Sequence, residues 1–415
     1  MKDVELTALR LNFRDFTEST VALMLCTLGA LVTGVVMGHG SDRFVVLPAL
    51  VLLIPPSIAL RGNIYASLGS RLGSYLHTGK ISPTFVMDQR VARNVYSSTL
   101  LLLIFSIIAG LLAAQMAIPM GLNTIESSNT GFLELTLSLA LISTLAAFFS
   151  AILMIPCTFA LAIGSYRWGW NPDNVTAPFI TLVGDMVTLP LLFASMDIVL
   201  AMDSYLKVTA TFIVLLLTAG FYLLNKRTEQ GGLGEKIVRE SIPVLLICTV
   251  LNFGAGTILG DNLESFVALA GLFIIIPAFL EDGGAIGGIL SARISTMLHL
   301  GILYPESRPP KEVLLSFGTM HLLALIIFPV IGLAGQMVNQ LLQLPTIPTV
   351  QMVLLTVIAG QLLMLTLDLL TYYFSIIAYR KNLDPDNVGV PLITSSADIL
   401  GMACLVFTMM LLNIV

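Results

Sequence analysis

The sequence predicts an all-α polytopic membrane protein of 11 transmembrane helices, arranged as five plus one plus five. Three observations predict this class. Charged residues make up 11% of the 415-residue chain and the mean hydropathy is +0.94, far from the balance of a soluble globular domain. Apolar runs long enough to cross a bilayer recur from end to end, without the short alternating segments of a membrane β-barrel. The chain also repeats itself: Cys26, Gly34, Pro55, Gly62, Arg71 and His77 return 222 residues later as Cys248, Gly256, Pro277, Gly284, Arg293 and His299. By the fifth span the offset is 213, so the second copy is shorter in between.

The elements follow in order. Residues 1–19 read as a cytoplasmic N-terminal segment, with no basic stretch and cleavage site of a signal peptide. The first five-helix repeat, 20–200, opens with a span over 20–38. Its second span starts near Phe44 and is expected to run as one long helix, interrupted at Pro55-Pro56, to about Leu76. Spans three, four and five cover 97–118, 135–166 and 173–200. A linking segment, 201–240, holds a sixth apolar run at 205–224 and a basic loop with Lys226, Arg227, Lys236 and Arg239. The second five-helix repeat fills 241–415.

Two five-span units joined directly would insert upside down relative to each other. The sixth helix restores the starting side, giving two parallel repeats related by a pseudo-two-fold axis along the membrane normal. Charge placement agrees. With the N-terminus cytoplasmic and the C-terminus outside a plasma membrane, Arg43 and Lys207 alone among the 20 Lys and Arg fall outside, and Arg61 lies within a span. Four isolated cysteines without ligand spacing read as small core residues, and no basic cluster suits nucleic acid. The lipid bilayer is the expected partner.

Chemistry concentrates in the fifth span of each repeat. Asn171-Pro172-Asp173-Asn174-Val175 leads to Pro178, Thr181 and Asp185; 213 residues later Asp384-Pro385-Asp386-Asn387-Val388 leads to Pro391, Thr394 and Asp398. Asn174, Pro178, Thr181 and Asp185 share one helix face, as do Asn387, Pro391, Thr394 and Asp398. Asp185 lies about 18 Å deeper than Asp173 at 1.5 Å per residue. A carboxylate at that depth costs about 3 kcal/mol or more, so Asp185 and Asp398 read as functional, against the plainer reading of a polar knot between helices. Facing each other, the two stripes would make an anionic, all-oxygen column with Asn174, Asn387, Thr181 and Thr394. Such a column suits a hard divalent cation, above all Mg²⁺, with Mn²⁺ and other divalent ions as further candidates. Without a cation the two carboxylates would repel and one would take up a proton, so cation and proton compete.

Asp173 and Asp386 begin the fifth helices, either as first-turn acids suited to the helix dipole or as groups at the cytoplasmic mouth of the path. Arg61 aligns with Gly283, beside Glu281 and Asp282. Two readings stand: Arg61 pairs with Glu281 or Asp282 across the repeats, or one of these acids belongs to the cation path. The glycine- and serine-rich stretches 62–74 and 283–295 read as close helix packing. His77 and His299 read as packing or surface groups, and Asp368, inside the tenth span without a counterpart, lines a side path or hydrogen-bonds a neighbour.

The motif Pro-Asp-Asn-Val-x-x-Pro-x-x-Thr-x-x-x-Asp, Gly62-Asn63 and the five-span unit resemble MgtE and the solute carrier 41 family, which are magnesium and divalent-cation channels or transporters. The resemblance covers essentially the whole chain. It implies that Asp185 and Asp398 line a central ion path, joined by Ala177 and Val390 just before Pro178 and Pro391. It also places Asn63 in the glycine-asparagine motif of the second helix, where copy two has Ala285. Both units lie in one chain, as in the solute carrier 41 proteins, so the functional unit is expected to be a monomeric pseudo-dimer without a magnesium-sensing cytoplasmic domain.

The sequence thus predicts a Mg²⁺ channel or transporter and not an enzyme. A Na⁺- or H⁺-coupled divalent-cation exchanger would use the same ligands. An intramembrane aspartyl hydrolase is the remote alternative; its family uses dissimilar Tyr-Asp and Gly-x-Gly-Asp motifs, whereas these two contexts are duplicates.

Overall fold

The computed structural model describes residues 13–84, 87–122, 131–168, 172–227, 232–381 and 385–414. Among them regular secondary structure is all helical, and 11 helices are long and apolar enough to cross a membrane. In order these are α1 (Phe13–His39), a short α2 (Asp42–Val46), a 3₁₀ turn (Pro48–Leu53), α3 (Ile54–His77), α4 (Gln89–Ala117), α5 (Phe132–Arg167), α6 (Pro172–Leu200) and α7 (Ser204–Arg227). They continue as α8 (Leu233–Asp261), a short α9 (Leu263–Ala268), α10 (Leu272–His299), α11 (Lys311–Leu342), α12 (Thr349–Arg380) and α13 (Pro385–Leu411).

The second span departs from the expected long helix. It breaks into α2, the 3₁₀ turn and α3, and Pro55 and Pro56 lie in the first turn of α3. A proline there gives up an N–H that has no intrahelical partner in any case. In the second repeat α10 runs straight through Pro277, because Ala278 stands where the first repeat has Pro56. One proline leaves a single carbonyl unpaired; two in succession stop the helix from extending backward.

The chain forms two compact units, one built from α2–α8 and one from α1 with α9–α13. In the first, α3 packs on α5, α6 and α8, around a core that includes Ile64, Leu68, Phe105, Met154 and Ile180. In the second, α10 packs on α1, α11, α12 and α13, with Phe279 against Phe328 at 4.9 Å between ring centres.

These packing units do not coincide with the contiguous repeats 20–200 and 241–415. Each unit takes its first long helix from the other repeat, and the docking contacts are equivalent. A Cβ added at Gly34 of α1 would overlap the carbonyl of Ile274, and one at Gly256 of α8 would lie 3.0 Å from the carbonyl oxygen of Leu52. Gly34 matches Gly256, and Leu52 matches Ile274, both at the 222-residue offset. Backbone meets backbone at both places, which demands glycine at Gly34 and leaves little room for more at Gly256.

The linking helix α7 leaves Tyr205, Phe212 and Leu216 exposed, as a lipid-facing helix would. It is tied at both ends. Lys207 Nζ meets Glu134 Oε1 at 3.2 Å, and Asn225 Oδ1 accepts a hydrogen bond from Ser97 Oγ at 3.0 Å. The four cysteines are free thiols, with Cys248 buried.

Candidate cation site

The two motif helices, α6 and α13, begin at Pro172 and Pro385, so the proline supplies the preset φ of a helix start. The backbone from Pro172 through Pro178 is helical, but the side chains of Asp173, Asn174, Ala177, Pro178, Asp386 and Asn387 lie outside the described residues.

From Thr181 and Val390 onward each stripe is described. In the unit of α2–α8, a Cβ on Gly62 would lie 3.4 Å from Thr181 Cγ2, so α3 approaches the motif helix at its threonine. One turn on, Asp185 is 6% exposed. It is followed by buried Thr188, whose hydroxyl donates to the Gly184 carbonyl at 2.6 Å. In the unit of α1 and α9–α13 the same contact recurs: a Cβ on Gly284 would lie 3.5 Å from Thr394 Cβ. Thr394 Oγ1 donates to the Pro391 carbonyl at 3.1 Å, and half-buried Asp398 follows one turn later. Val390 is half-buried, 3.9 Å from the Cβ position of Gly288. Each unit therefore presents a threonine and a carboxylate, one turn apart, beside a glycine of its second long helix. The glycine lets the helices approach at the threonine.

Asn63 is half-buried and opens on a crevice between α3 and α8, with Thr249 and Asn252. Its neighbour Gly62 is the residue that meets Thr181. Arg61 is buried in α3; its Nη1 donates to the Ser57 carbonyl at 2.7 Å, while Nε and Nη2 have no hydrogen-bond partner among the described residues. Arg61 belongs to the unit of α2–α8, whereas Glu281 and Asp282 lie on α10 of the other. Asp282 is fully buried and accepts a hydrogen bond from Thr27 of α1. Its repeat mate is Leu60, which shares the α3–α8 crevice with Thr249, the mate of Thr27. The two units thus differ by one buried carboxylate at this point.

Outside the spans, Arg43 stands over the Phe193 ring at 5.1 Å and binds Asp197 near the end of α6, Nη2 to Oδ2 at 2.9 Å. The hydrogen bond and charge of Asp197 push the Arg43 guanidinium further above its ordinary range. This clamp fixes the far end of the motif helix. His299 is a packing group, its Nδ1 2.9 Å from the Ser295 carbonyl and its ring edge on Tyr379; the side chain of His77 lies outside the described residues.

One polar cluster escaped the sequence reading. His321 of α11 lies between Gln361 and Asp368 of α12, Nδ1 to Oε1 at 2.7 Å and Nε2 to Oδ2 at 3.5 Å. Asp368 stood out by itself; a histidine ten residues into an apolar span was the signal that would have supplied its partner.

Comparison with known proteins places this architecture. A family model described as "MgtE: Divalent cation transporter" matches residues 54–195 and again 276–408. The second match begins 222 residues after the first and ends 213 after it, the same two offsets read from the repeat. Solute carrier family 41 member 3 of Rattus norvegicus is 26% identical over 95% of this chain and 86% of its own length. Solute carrier family 41 member 2 of Homo sapiens is 25% identical over 93% of this chain and 68% of its own length. Among solved structures, an inward-facing multidrug resistance MATE family transporter aligns over 95% of this chain and 98% of its own, at 13% identity and a TM-score of 0.31, too low to bear on the fold. The family matched twice is one of transporters. With both compact units carrying its motif helix, the chain belongs to the MgtE family of divalent cation transporters.

Proposed function

We propose that this protein moves Mg²⁺ across the plasma membrane along a path lined by Asp185 and Asp398, with its N-terminus cytoplasmic and its C-terminus outside. The observation that carries the reading is the duplicated stripe: Thr181 beside Gly62 with Asp185 one turn on, and Thr394 beside Gly284 with Asp398 one turn on. Two carboxylates balance one divalent charge. Flanking hydroxyls and carbonyls can hold the water shell that Mg²⁺ sheds reluctantly, which favours it over monovalent ions. Thr181, Thr394, Asn174 and Asn387 would guide the hydrated ion, Ala177 and Val390 would set the width, and Asp173 and Asp386 would gather cations at the cytoplasmic mouth. Asn63 would act from the second helix. Arg61, paired with Glu281 or Asp282, would make the two halves inequivalent, and one chain would suffice as the functional unit.

The test is Mg²⁺ uptake by proteoliposomes. Asp185→Asn and Asp398→Asn are each expected to remove most uptake while the variants elute as folded protein. Full uptake in both would refute the assignment. Mn²⁺ is expected to compete for the path and K⁺ is not. A coupled exchanger is the second reading, favoured by the histidine–carboxylate pair on α11 and α12.

A further inference from the structure

We propose that His321, Gln361 and Asp368 form a binding site for one proton in the unit of α1 and α9–α13, and that its occupancy couples cation movement to a proton gradient. The proposal rests on the reading that the chain carries a divalent cation, and deepens it by naming the coupling ion and its seat.

The three groups lie deep in their spans. His321 comes ten residues after Lys311 at the start of α11, and Asp368 twelve before Arg380 at the end of α12. These intervals correspond to about 15 and 18 Å from the same end of the antiparallel pair. The hydrogen bonds fix where the protons are. Gln361 Nε2 donates to the His321 carbonyl at 3.3 Å, which turns Gln361 Oε1 toward the ring, 2.7 Å from Nδ1. Nδ1 faces an acceptor and therefore carries hydrogen. A neutral ring in that tautomer presents a lone pair at Nε2, 3.5 Å from Asp368 Oδ2. Lone pair against carboxylate is repulsive. One proton, on Nε2 or on Oδ2, makes the contact attractive, so the geometry suits one proton held between ring and carboxylate.

The cluster exists once. At offsets of 222 or 213, position 321 corresponds to Thr99 or Ile108, and position 368 to Ala146 or Ile155. Helix stitching alone would be served by uncharged amides, without the cost of a carboxylate inside a span. The His321 side chain is 31% exposed and that of Asp368 5%, so the carboxylate is the enclosed end of the pair. Among the described side chains, the acidic and basic groups on the packed elements are Glu281, Asp282, Arg293 and His299 on α10, Asp398 on α13, and Glu18 and His39 at the ends of α1. Asp282 is already engaged by Thr27.

A route to the cation slot runs through one glycine. A Cβ at Gly287 of α10 would lie 2.6 Å from Leu367, the neighbour of Asp368, and 2.8 Å from Ile393, the neighbour of Thr394. Leu367 and Ile393 therefore both bear on the space that Gly287 leaves open. A shift of α12 when Asp368 loses its proton is passed to the motif helix at its threonine.

The experiment has two arms, both on the full chain. Infrared difference spectra of the purified protein across a pH titration are expected to show one imidazole–carboxyl step, lost in Asp368→Asn and equally in His321→Gln, and restored in Asp368→Glu. In proteoliposomes holding a pH dye, an outward proton gradient is expected to accelerate wild-type Mg²⁺ uptake with loss of protons from the lumen, and both variants lose that acceleration. If Asp368→Asn fails to fold, His321→Gln, which stays polar, carries both arms. Persistence of the spectral step in both variants, or an unaltered pH profile of their uptake, overturns the proton site. Absence of any divalent-cation uptake by the wild type would instead contradict the transport reading, and the spectral arm would still decide the proton site.

Discussion

At the scale of single residues, the approach of the motif helices to their neighbours depends on what glycine leaves out. The Cβ position of Gly284 is 3.5 Å from Thr394, ordinary contact distance, so Gly284→Ala is expected to fold and transport. Gly284→Leu would push α10 off α13 and is expected to lose uptake with the fold largely kept; uptake at the wild-type rate would show that the slot tolerates widening. The Arg43–Asp197 clamp is weaker than its geometry suggests, because its side chains are 39% and 55% exposed. Asp197→Ala is expected to cost about 1 kcal/mol or less, shrinking as salt is added. Thermal unfolding in detergent at low and high salt checks this.

At the scale of elements, the exchanged first helices make a sharper prediction. Gly34→Ala forces a methyl into the Ile274 carbonyl, where only backbone movement gives relief, and is expected to destabilise by about 1–3 kcal/mol. Gly256→Ala, with 3.0 Å to the Leu52 oxygen, is expected to cost less. Reversal of that order in melting temperature would contradict the packing of α1 on α10 and of α8 on the 3₁₀ turn. The same elements show what a sequence can reveal. Helical spacing places Asp185 one turn from Thr181, and duplication at a fixed offset identifies Gly34 with Gly256, so the motif stripes and the long helices were legible. Self-similarity does not say which copy a helix packs on: Gly34 and Gly256 present the same face, and either partner satisfies it. The pairing of His321 with Asp368 depends on the register of α11 against α12, which periodicity within one helix does not contain. The break before Pro55 turned on one neighbour, Pro56 against Ala278, whose effect reaches backward along the chain.

At the scale of the whole molecule, two units are built on one plan and differ in their buried charge. Among the described residues, the unit of α2–α8 buries Arg61, Arg93, Asp185 and Lys207; the unit of α1 and α9–α13 buries Asp282 and Asp368, with Asp398 half-buried. The shared parts, a threonine and an aspartate beside a glycine, suit the cation. The unshared parts are where the two halves can differ in what they bind. Arg43 and Lys207 are each paired with an acid of their own unit, Asp197 and Glu134. The measurement that bears most directly on this account is Mg²⁺ uptake by proteoliposomes carrying the double variant Asp185→Asn/Asp398→Asn, beside the wild type at equal protein content. The account predicts uptake at the level of empty liposomes from a variant that elutes and melts like the wild type; uptake at the wild-type rate would contradict it.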